Sequence, residues 1–204
     1  MANASTPTIT LATSDDVGEI LAMIRELAKY QNALDKVEAT EDSLRRTLTF
    51  SGGTQRHNPG YAKTFLLRLP AKPSHEGDEP RAVAGMAMFF HSYSTWRACP
   101  GVHLEDLYVR PQYRKRGYGK MLIQACAQEV ARIGGARLEW SCLKNNKASL
   151  EFYDSLGAKQ MPEWVSLRVD GDDLSQLYSG ETLALREGQD VTMGTVGVSG
   201  EATA

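Results

Sequence analysis

Residues 102–135 constrain the fold of this chain more than any other stretch. Val102–Val109 (VHLEDLYV) reads as a strand. Pro111 ends its pairing, because proline has no N–H to give a ladder. Then come Arg114-Lys115-Arg116-Gly117-Tyr118-Gly119-Lys120 and a helical pattern over Gly119–Ile133. Leu122, Ala125, Cys126, Val130 and Ile133 mark its apolar face, and Gly134-Gly135 stops it. A helix start leaves several backbone N–H groups without an intrahelical acceptor. With the helix dipole they make an anion site, and glycine lets the backbone approach a pyrophosphate without a Cβ in the way. Taken alone, a basic turn that merely caps a helix is the simpler reading. The Gly-Lys-Ser/Thr ending of a Walker loop is missing, and the turn does not follow the dinucleotide fingerprint.

The flanking patterns alternate between strand and helix. Thr8–Ala12 (TITLA) reads as a strand. Thr13-Ser14-Asp15-Asp16 supplies a cap and first-turn acids for a helix with the stripe Val17, Ile20, Leu21, Ile24, Leu27 and Ala28. Thr40-Glu41-Asp42 starts a shorter helix with Leu44 and Leu48 inward. Thr64–Leu69, Val83–Tyr93 and Arg137–Leu143 read as strands, the second forming a hairpin with Val102–Val109 through a longish loop. Asn146–Leu156 reads as a helix ended by Gly157, and Trp164–Val169 as a last strand. Residues 51–61 and 70–80 are loops by composition. The order predicts an α/β (α+β) domain: a mixed central sheet of six to seven strands with helices on both faces, its strand–helix–strand crossover right-handed. Residues 1–7 are expected to be a flexible N-terminus, 8–179 the domain, and 180–204 a mobile tail.

Composition narrows the function. The 204 residues fit one domain, and 42% hydrophobic content is too much for a chain disordered throughout. A net charge of −2 argues against a nucleic-acid or polybasic membrane binder. No apolar run approaches the ~20 residues of a membrane helix, and no secretory signal is evident. Cys99, Cys126 and Cys142 are odd in number and widely spaced, so neither a disulfide framework nor a Cys-based metal site is expected, and a reducing compartment is the simplest setting. The four histidines show no metal-ligand spacing, so no metal is expected.

LEDLYVRPQYRKRGYGKMLI, then the amphipathic helix, a strand and NKASLEFYDSLGA, resembles the GNAT superfamily of N-acetyltransferases. The resemblance runs from Thr8 to about Leu177. Within the superfamily it points to the diamine (spermidine/spermine) and thialysine N-acetyltransferases, through Arg25-Glu26-Leu27-Ala28-Lys29-Tyr30, Leu104-Glu105-Asp106, Phe152-Tyr153 and Gly157-Ala158. It implies the GNAT fold, acetyl-CoA as cosubstrate and a cytoplasmic homodimer with acceptor pockets near the subunit boundary. It also implies that Arg114, Lys115, Arg116, Gly117, Tyr118, Gly119 and Lys120 hold the coenzyme's pyrophosphate. By the same resemblance Leu107 and Val109 present backbone N–H groups to the acetyl carbonyl and pantetheine, and Asn146, Ser149 and Tyr153 contact the coenzyme.

Direct acetyl transfer to an amine requires the ammonium, with a pKa of ~10.4 for a lysine-like amine, to lose a proton. It also requires a polarised thioester and a protonated leaving thiolate. No enzyme nucleophile is needed, so Cys126 and Cys142 read as core residues. Strict alternation puts His103, Glu105, Leu107 and Val109 on one strand face and Leu104, Asp106 and Tyr108 on the other. Glu105 is the candidate base, through a water, and Asp106 a candidate for binding substrate. Both carboxylates could instead neutralise a nearby cation. Tyr153 is the candidate acid; the same spacing also suits an aromatic core residue. Asn146 also reads as a plain N-cap.

Tyr30, Gln31, Trp96, Glu105 and Asp106 are candidates to line the acceptor pocket; Trp96 suits a packing role in a hairpin loop equally well. Gln31 stands where the spermidine/spermine enzymes carry an acid, and Ser94-Thr95-Trp96 lacks another. Fewer carboxylates suggest a shorter or less charged amine: a diamine, or an ornithine-, lysine- or thialysine-like amino acid. A protein lysine or N-terminal acceptor is the alternative, and a non-catalytic CoA-binding module is a third reading.

Overall fold

The structure, a computed structural model, describes residues 6–52, 60–70 and 81–179. Most of the expected N-terminal segment, most of both composition-defined loops and the expected tail at 180–204 lie outside the described residues. The chain falls into two compact units, Met1–Ala158 and Lys159–Ala204, and the expected domain of 8–179 spans both.

In the first unit six strands form one mixed sheet among the described residues. They are β1 (Thr8–Leu11), β2 (Leu48–Thr49), β3 (Ala62–Arg68), β4 (Val83–Ser94), β5 (Cys99–Val109) and β6 (Leu138–Trp140). The order is β1-β3-β4-β5-β6, with β2 parallel on β3; β5 and β6 are parallel and the other neighbours antiparallel. The helices are α1 (Val17–Tyr30), α2 (Glu41–Thr47), α3 (Tyr118–Arg132) and α4 (Lys147–Asp154).

Two apolar layers cover the sheet, as burial of both faces requires. On one side Val17, Ile20, Leu21 and Met23 of α1 and Leu44 of α2 pack on Leu66, Met86, Met88 and Tyr108. On the other, Leu122, Ile123, Cys126 and Val130 of α3, with Phe152, Tyr153 and Leu156 of the α4 region, pack on Leu67, Ala87, Phe89 and Leu104. Cys126 is a fully buried core residue, and burial pushes its thiol up to about 12.

Four expectations change. Leu48 is buried as expected but opens β2 instead of extending α2, because its backbone pairs with Ala62. The β4–β5 hairpin turns through Thr95–Ala98 between the paired Ser94 and Cys99, not through a longish loop. β6 is only three residues long. No ladder includes Trp164–Val169; Trp164, Val165 and Leu167 are exposed, and a helix, α5 (Gly171–Ser179), follows. Alternation there supplied the strand pattern without the neighbour that a strand needs.

One register change matters most. The β4–β5 pairing slips between Met88↔Asp106 and Phe89↔Leu104, leaving Glu105 unpaired as a bulge. Strict alternation is therefore corrected. Leu104, Leu107 and Val109 share the α3 side, whereas Asp106 and Tyr108 pair with Met88 and Met86 on the α1 side. Gly85 sits opposite Val109, where a Cβ would strike the Tyr108 carbonyl oxygen.

α3 is tied to the sheet by Glu129, which is 7% exposed. Its carboxylate accepts from Arg132, lies 2.9 Å from His91 Nε2 on β4 and 3.7 Å from Lys63 Nζ on β3. The Arg132 hydrogen bonds hold its pKa down to about 2, against the opposing effect of burial. A depressed carboxylate stabilises the fold above its unfolded pKa and loses that contribution as pH falls through the folded value. Glu129→Gln is expected to cost about 2 kcal/mol at pH 7, and the gap from wild type should narrow as pH drops from about 4.5 towards 2. Urea unfolding across that range measures both effects.

Candidate active site

The site begins where β5 and β6 part. Their pairing runs Val102↔Leu138, His103↔Glu139 and Leu104↔Trp140, then stops. The Val102 N–H donates to the Arg137 carbonyl on the β6 side, whereas the Arg110 N–H donates to Ala84 on the β4 side. Peptide groups alternate in direction along a strand. Counting back from Arg110 turns the N–H groups of Val109 and Leu107 towards the β6 side, where no strand remains to pair them. A cleft of about 910 Å³ opens there. Leu104–Val109 form one wall and Trp140–Leu143 the other; the 114–120 loop and α4 add to its lining.

The loop is built for close approach. Pro111–Tyr113 form a short 3-10 turn, Lys115 (φ 60°) and Gly117 (φ 79°) are left-handed, and Gly117 caps α3. The first helical bond at this end runs from the Met121 N–H to the Gly117 carbonyl. The amides of Tyr118, Gly119 and Lys120 therefore lie in the first turn, without intrahelical acceptors. Lys115, Gly117, Tyr118, Gly119 and Lys120 line the cleft. Arg116 does not; it reaches back towards the Gln112 carbonyl at 3.5 Å. Arg114 lines the cleft but turns towards β5: its Nε donates to the Val109 carbonyl at 2.8 Å. Its guanidinium lies 5.1 Å from the Tyr30 ring centre and 5.7 Å from that of Tyr108.

Opposite stands α4. Asn146 is its N-cap, the Oδ1 accepting from the Ser149 N–H at 3.3 Å, and both residues line the cleft. Tyr153 packs at 5.0 Å on Trp140 and 5.3 Å on Phe152. Burial, with a smaller contribution from Cys142, pushes its phenol up to about 12. Cys142 lines the same cleft instead of belonging to a core layer.

The two carboxylates differ in setting. Glu105, at the bulge, is exposed, with its Oε2 3.9 Å from His103 Nε2. Asp106 is largely desolvated, and burial, then the neighbouring Glu105 charge, raises it to about 6. Both line the cleft, as do Tyr30 and Gln31 at the end of α1. Trp96 is not brought to them. It is 76% exposed at the hairpin tip, and Cys99 alone is six residues, about 20 Å of strand, from Glu105.

Arg110 is the residue that sequence reasoning passed over. It donates to Glu19 at 2.6 Å, to Glu26 at 2.9–3.2 Å and to the Val83 carbonyl at 3.1 Å. This clasp joins the end of β5 to α1 one turn before Tyr30. The available signal was Glu19 and Glu26, seven residues apart and so on one helix face. Leu27, Tyr108 and Phe152, which lie in the segments that carry the resemblance but were given no role there, also line the cleft.

A mixed sheet thus parts between two parallel strands, and the first-turn amides of α3 line the cleft at the split. The model of the acetyltransferase (GNAT) family matches residues 39–158. The chain is 33% identical to a thialysine N-epsilon-acetyltransferase from Bos taurus, covering 81% of this chain and 94% of that one. It is 29% identical to an L-ornithine N5-acetyltransferase from Arabidopsis thaliana, covering 83% and 86%. An integron cassette protein from the mobile metagenome of V. cholerae superposes with a TM-score of 0.63 at 20% identity, covering 85% of this chain and 98% of that one. The chain belongs to the acetyltransferase (GNAT) family and is an N-acetyltransferase. Among the described residues no cluster could hold a metal ion, and no helix is long and apolar enough to cross a membrane.

The setting of Asp106 has a measurable consequence. A carboxyl whose pKa is raised in the folded state binds more protons there than in the unfolded chain, so stability falls as pH rises from about 4 through about 6. Asp106→Asn is expected to be more stable than wild type at pH 8, by about 2 kcal/mol, and equal to it at pH 3.5. Denaturant midpoints at the two pH values check this; a variant gain independent of pH would contradict it.

Proposed function

We propose that this protein is an acetyl-CoA-dependent N-acetyltransferase that moves an acetyl group directly onto a primary amine of a small diamine, polyamine, or lysine-, ornithine- or thialysine-like amino acid. The observation that carries the reading is the unpaired β5 edge, with the Leu107 and Val109 amides lying between the first-turn amides of α3 and a half-buried tyrosine. The residues suit the coenzyme. First-turn amides at Tyr118–Lys120, with the side chains of Lys115 and Lys120, suit a diphosphate. The free edge suits an extended, amide-bearing arm, because it offers the ladder that β6 no longer fills. Asn146 caps α4 through its oxygen, and its amide NH2 is left to donate to the coenzyme. Names of relatives that act on thialysine and ornithine support an amine acceptor.

Bound acetyl-CoA supplies an activated thioester. The chain's own groups do the rest. The Leu107 and Val109 N–H groups polarise the carbonyl as a small oxyanion site. Asp106, desolvated and unmatched by a cation, anchors the acceptor's ammonium. Glu105, at the solvent-facing bulge, takes the amine proton through a water. The burial of Tyr153 keeps its hydroxyl protonated at working pH, so it is a standing donor to the departing sulfur. Homodimeric assembly and a cytoplasmic location belong to the same reading; the first rests on the family resemblance, the second on the unpaired cysteines.

Amines tested with acetyl-CoA should release free thiol; no release with any amine, in folded protein that also fails to bind coenzyme A, rejects the reading. Tyr153→Phe is expected to bind acetyl-CoA normally while kcat falls ~10²-fold or more. An unchanged kcat would remove Tyr153 from the mechanism. Glu105→Gln should lower kcat, and Asp106→Asn should chiefly raise the amine KM; steady-state kinetics at pH 7.5 separate the two.

A further inference from the structure

Beside Glu105, and outside the lining of the cleft, stands His103. Its Nε2 lies 3.9 Å from the Glu105 Oε2. That gap is just beyond a hydrogen bond, and the Glu105 side chain, 59% exposed, can close it by a change of rotamer. The imidazole itself is held. It stacks on Phe90 of β4, its register partner, with ring centres 4.8 Å apart and planes 23° from parallel. On its other flank the register partner is Glu139 of β6, whose carboxylate lies 3.1 Å from Arg137 Nε. The charged groups around the ring are therefore Glu105, the Glu139–Arg137 pair and, three residues further along β5, Asp106.

Proton balance gives this placement a use. A primary ammonium brings three N–H protons, and the amide it becomes keeps one. The leaving thiolate takes a second, because an ordinary thiol stays protonated below a pKa of ~8.5. One proton per turnover must therefore reach water. The base that receives it, Glu105, lines the cleft, so coenzyme and acceptor stand between it and the solvent in front. His103 does not line the cleft, yet 27% of its side chain is accessible. It meets water from outside the occupied site. Imidazole is also the side-chain group that takes up and gives back a proton near neutral pH.

We propose that His103 is a positioning and relay residue for the base: it orients the Glu105 carboxylate and carries its proton from the filled cleft to bulk water. The acceptor's ammonium gives a proton through a water to Glu105. The Glu105 carboxyl passes it to His103 Nε2 and is a carboxylate again. The imidazolium then returns a proton to water outside the cleft. Phe90 serves the relay by holding the ring edge-on to Glu105. This rests on the reading of Glu105 as the base and adds the route by which that base is reset.

The test is chemical rescue. His103→Ala leaves room for free imidazole, and His103→Phe keeps a ring on Phe90 but removes the proton carrier. Turnover is measured at pH 7.5 and saturating acetyl-CoA, with the best acceptor among thialysine, ornithine and putrescine, in a buffer free of imidazole. Both variants are expected to lose kcat at least ~10-fold, with the amine KM little changed. Added imidazole should restore the kcat of His103→Ala in proportion to its concentration and leave wild type unmoved. In a Glu105→Gln background, removing His103 should cost nothing further and imidazole should restore nothing. Circular dichroism establishes that each variant is folded; if His103→Ala is not, the comparison of His103→Phe with and without Glu105→Gln carries the test. An unchanged kcat in a folded variant overturns the inference. So does a loss in His103→Ala that imidazole does not repair, which would leave the ring a packing role alone. Both results leave Glu105 as the base if Glu105→Gln by itself lowers kcat. If it does not, or if none of the three acceptors is acetylated, the base reading fails and the inference fails with it.

Discussion

The site depends on a pair of parallel strands that stay together for three residues and then part. Backbone N–H and C=O groups buried away from water need partners. β5 meets that need along its β4 edge except at the Glu105 bulge, and along its β6 edge only from Val102 to Leu104. Beyond that point the Leu107 and Val109 amides have a direction but no strand. The bulge at Glu105 lies at the same place. One irregularity thus opens an edge, turns a carboxylate towards solvent and sends its neighbour Asp106 to the α1 side.

Holding such an edge open needs bracing from elsewhere. Gly85 lets β4 approach the far edge of β5 more closely than a side chain would allow. Arg110 then locks the end of β5 to Glu19 and Glu26 of α1. All its bonds are charge-assisted or made to a carbonyl, and the residue is largely enclosed. Ion pairs shielded in this way are screened far less than surface pairs and fix geometry as well as charge. The same clasp therefore braces the loop that starts four residues after Arg110 and the end of α1, four residues after Glu26. On the opposite face Glu129 braces α3 against β3 and β4, so the helix whose start faces the cleft is fixed along its length.

Much of this was legible in the residues. The periodicity of 119–133, the glycines at 117 and 119 and the proline at 111 encode strand, turn and helix through local rules, and the structure follows them. The two apolar layers follow from the stripes of α1 and α3. The failures share one cause: they depend on what lies across a gap in space. Leu48 continues a helical stripe but is claimed by β3. Trp164–Val169 alternates without a ladder. The bulge leaves no mark in LEDLYV, so strict alternation put Leu104 on the face of Asp106, whereas the sheet puts them on opposite faces. Trp96 sits in a plausible motif, but the tight hairpin carries it away from the cleft. Arg110 has no motif because its partners are 84 and 91 residues away.

Desolvation gives the cleft two opposite tools from one physical cause. Removing water penalises whichever form of a group is charged. For Tyr153 the charged form is the phenolate, so packing against Trp140 and Phe152 keeps the proton on and preserves a donor. For Asp106 the charged form is the carboxylate, so the same withdrawal from water leaves an anion that gains unusually from meeting a cation. On the proposed reading, a primary ammonium entering the cleft restores to Asp106 a counter-charge that no lysine or arginine among the described residues supplies. Arg114, which lines the same cleft, is held by Val109 and the two tyrosines. The cleft lining is therefore acidic at Asp106 and basic at the loop that starts with Arg114.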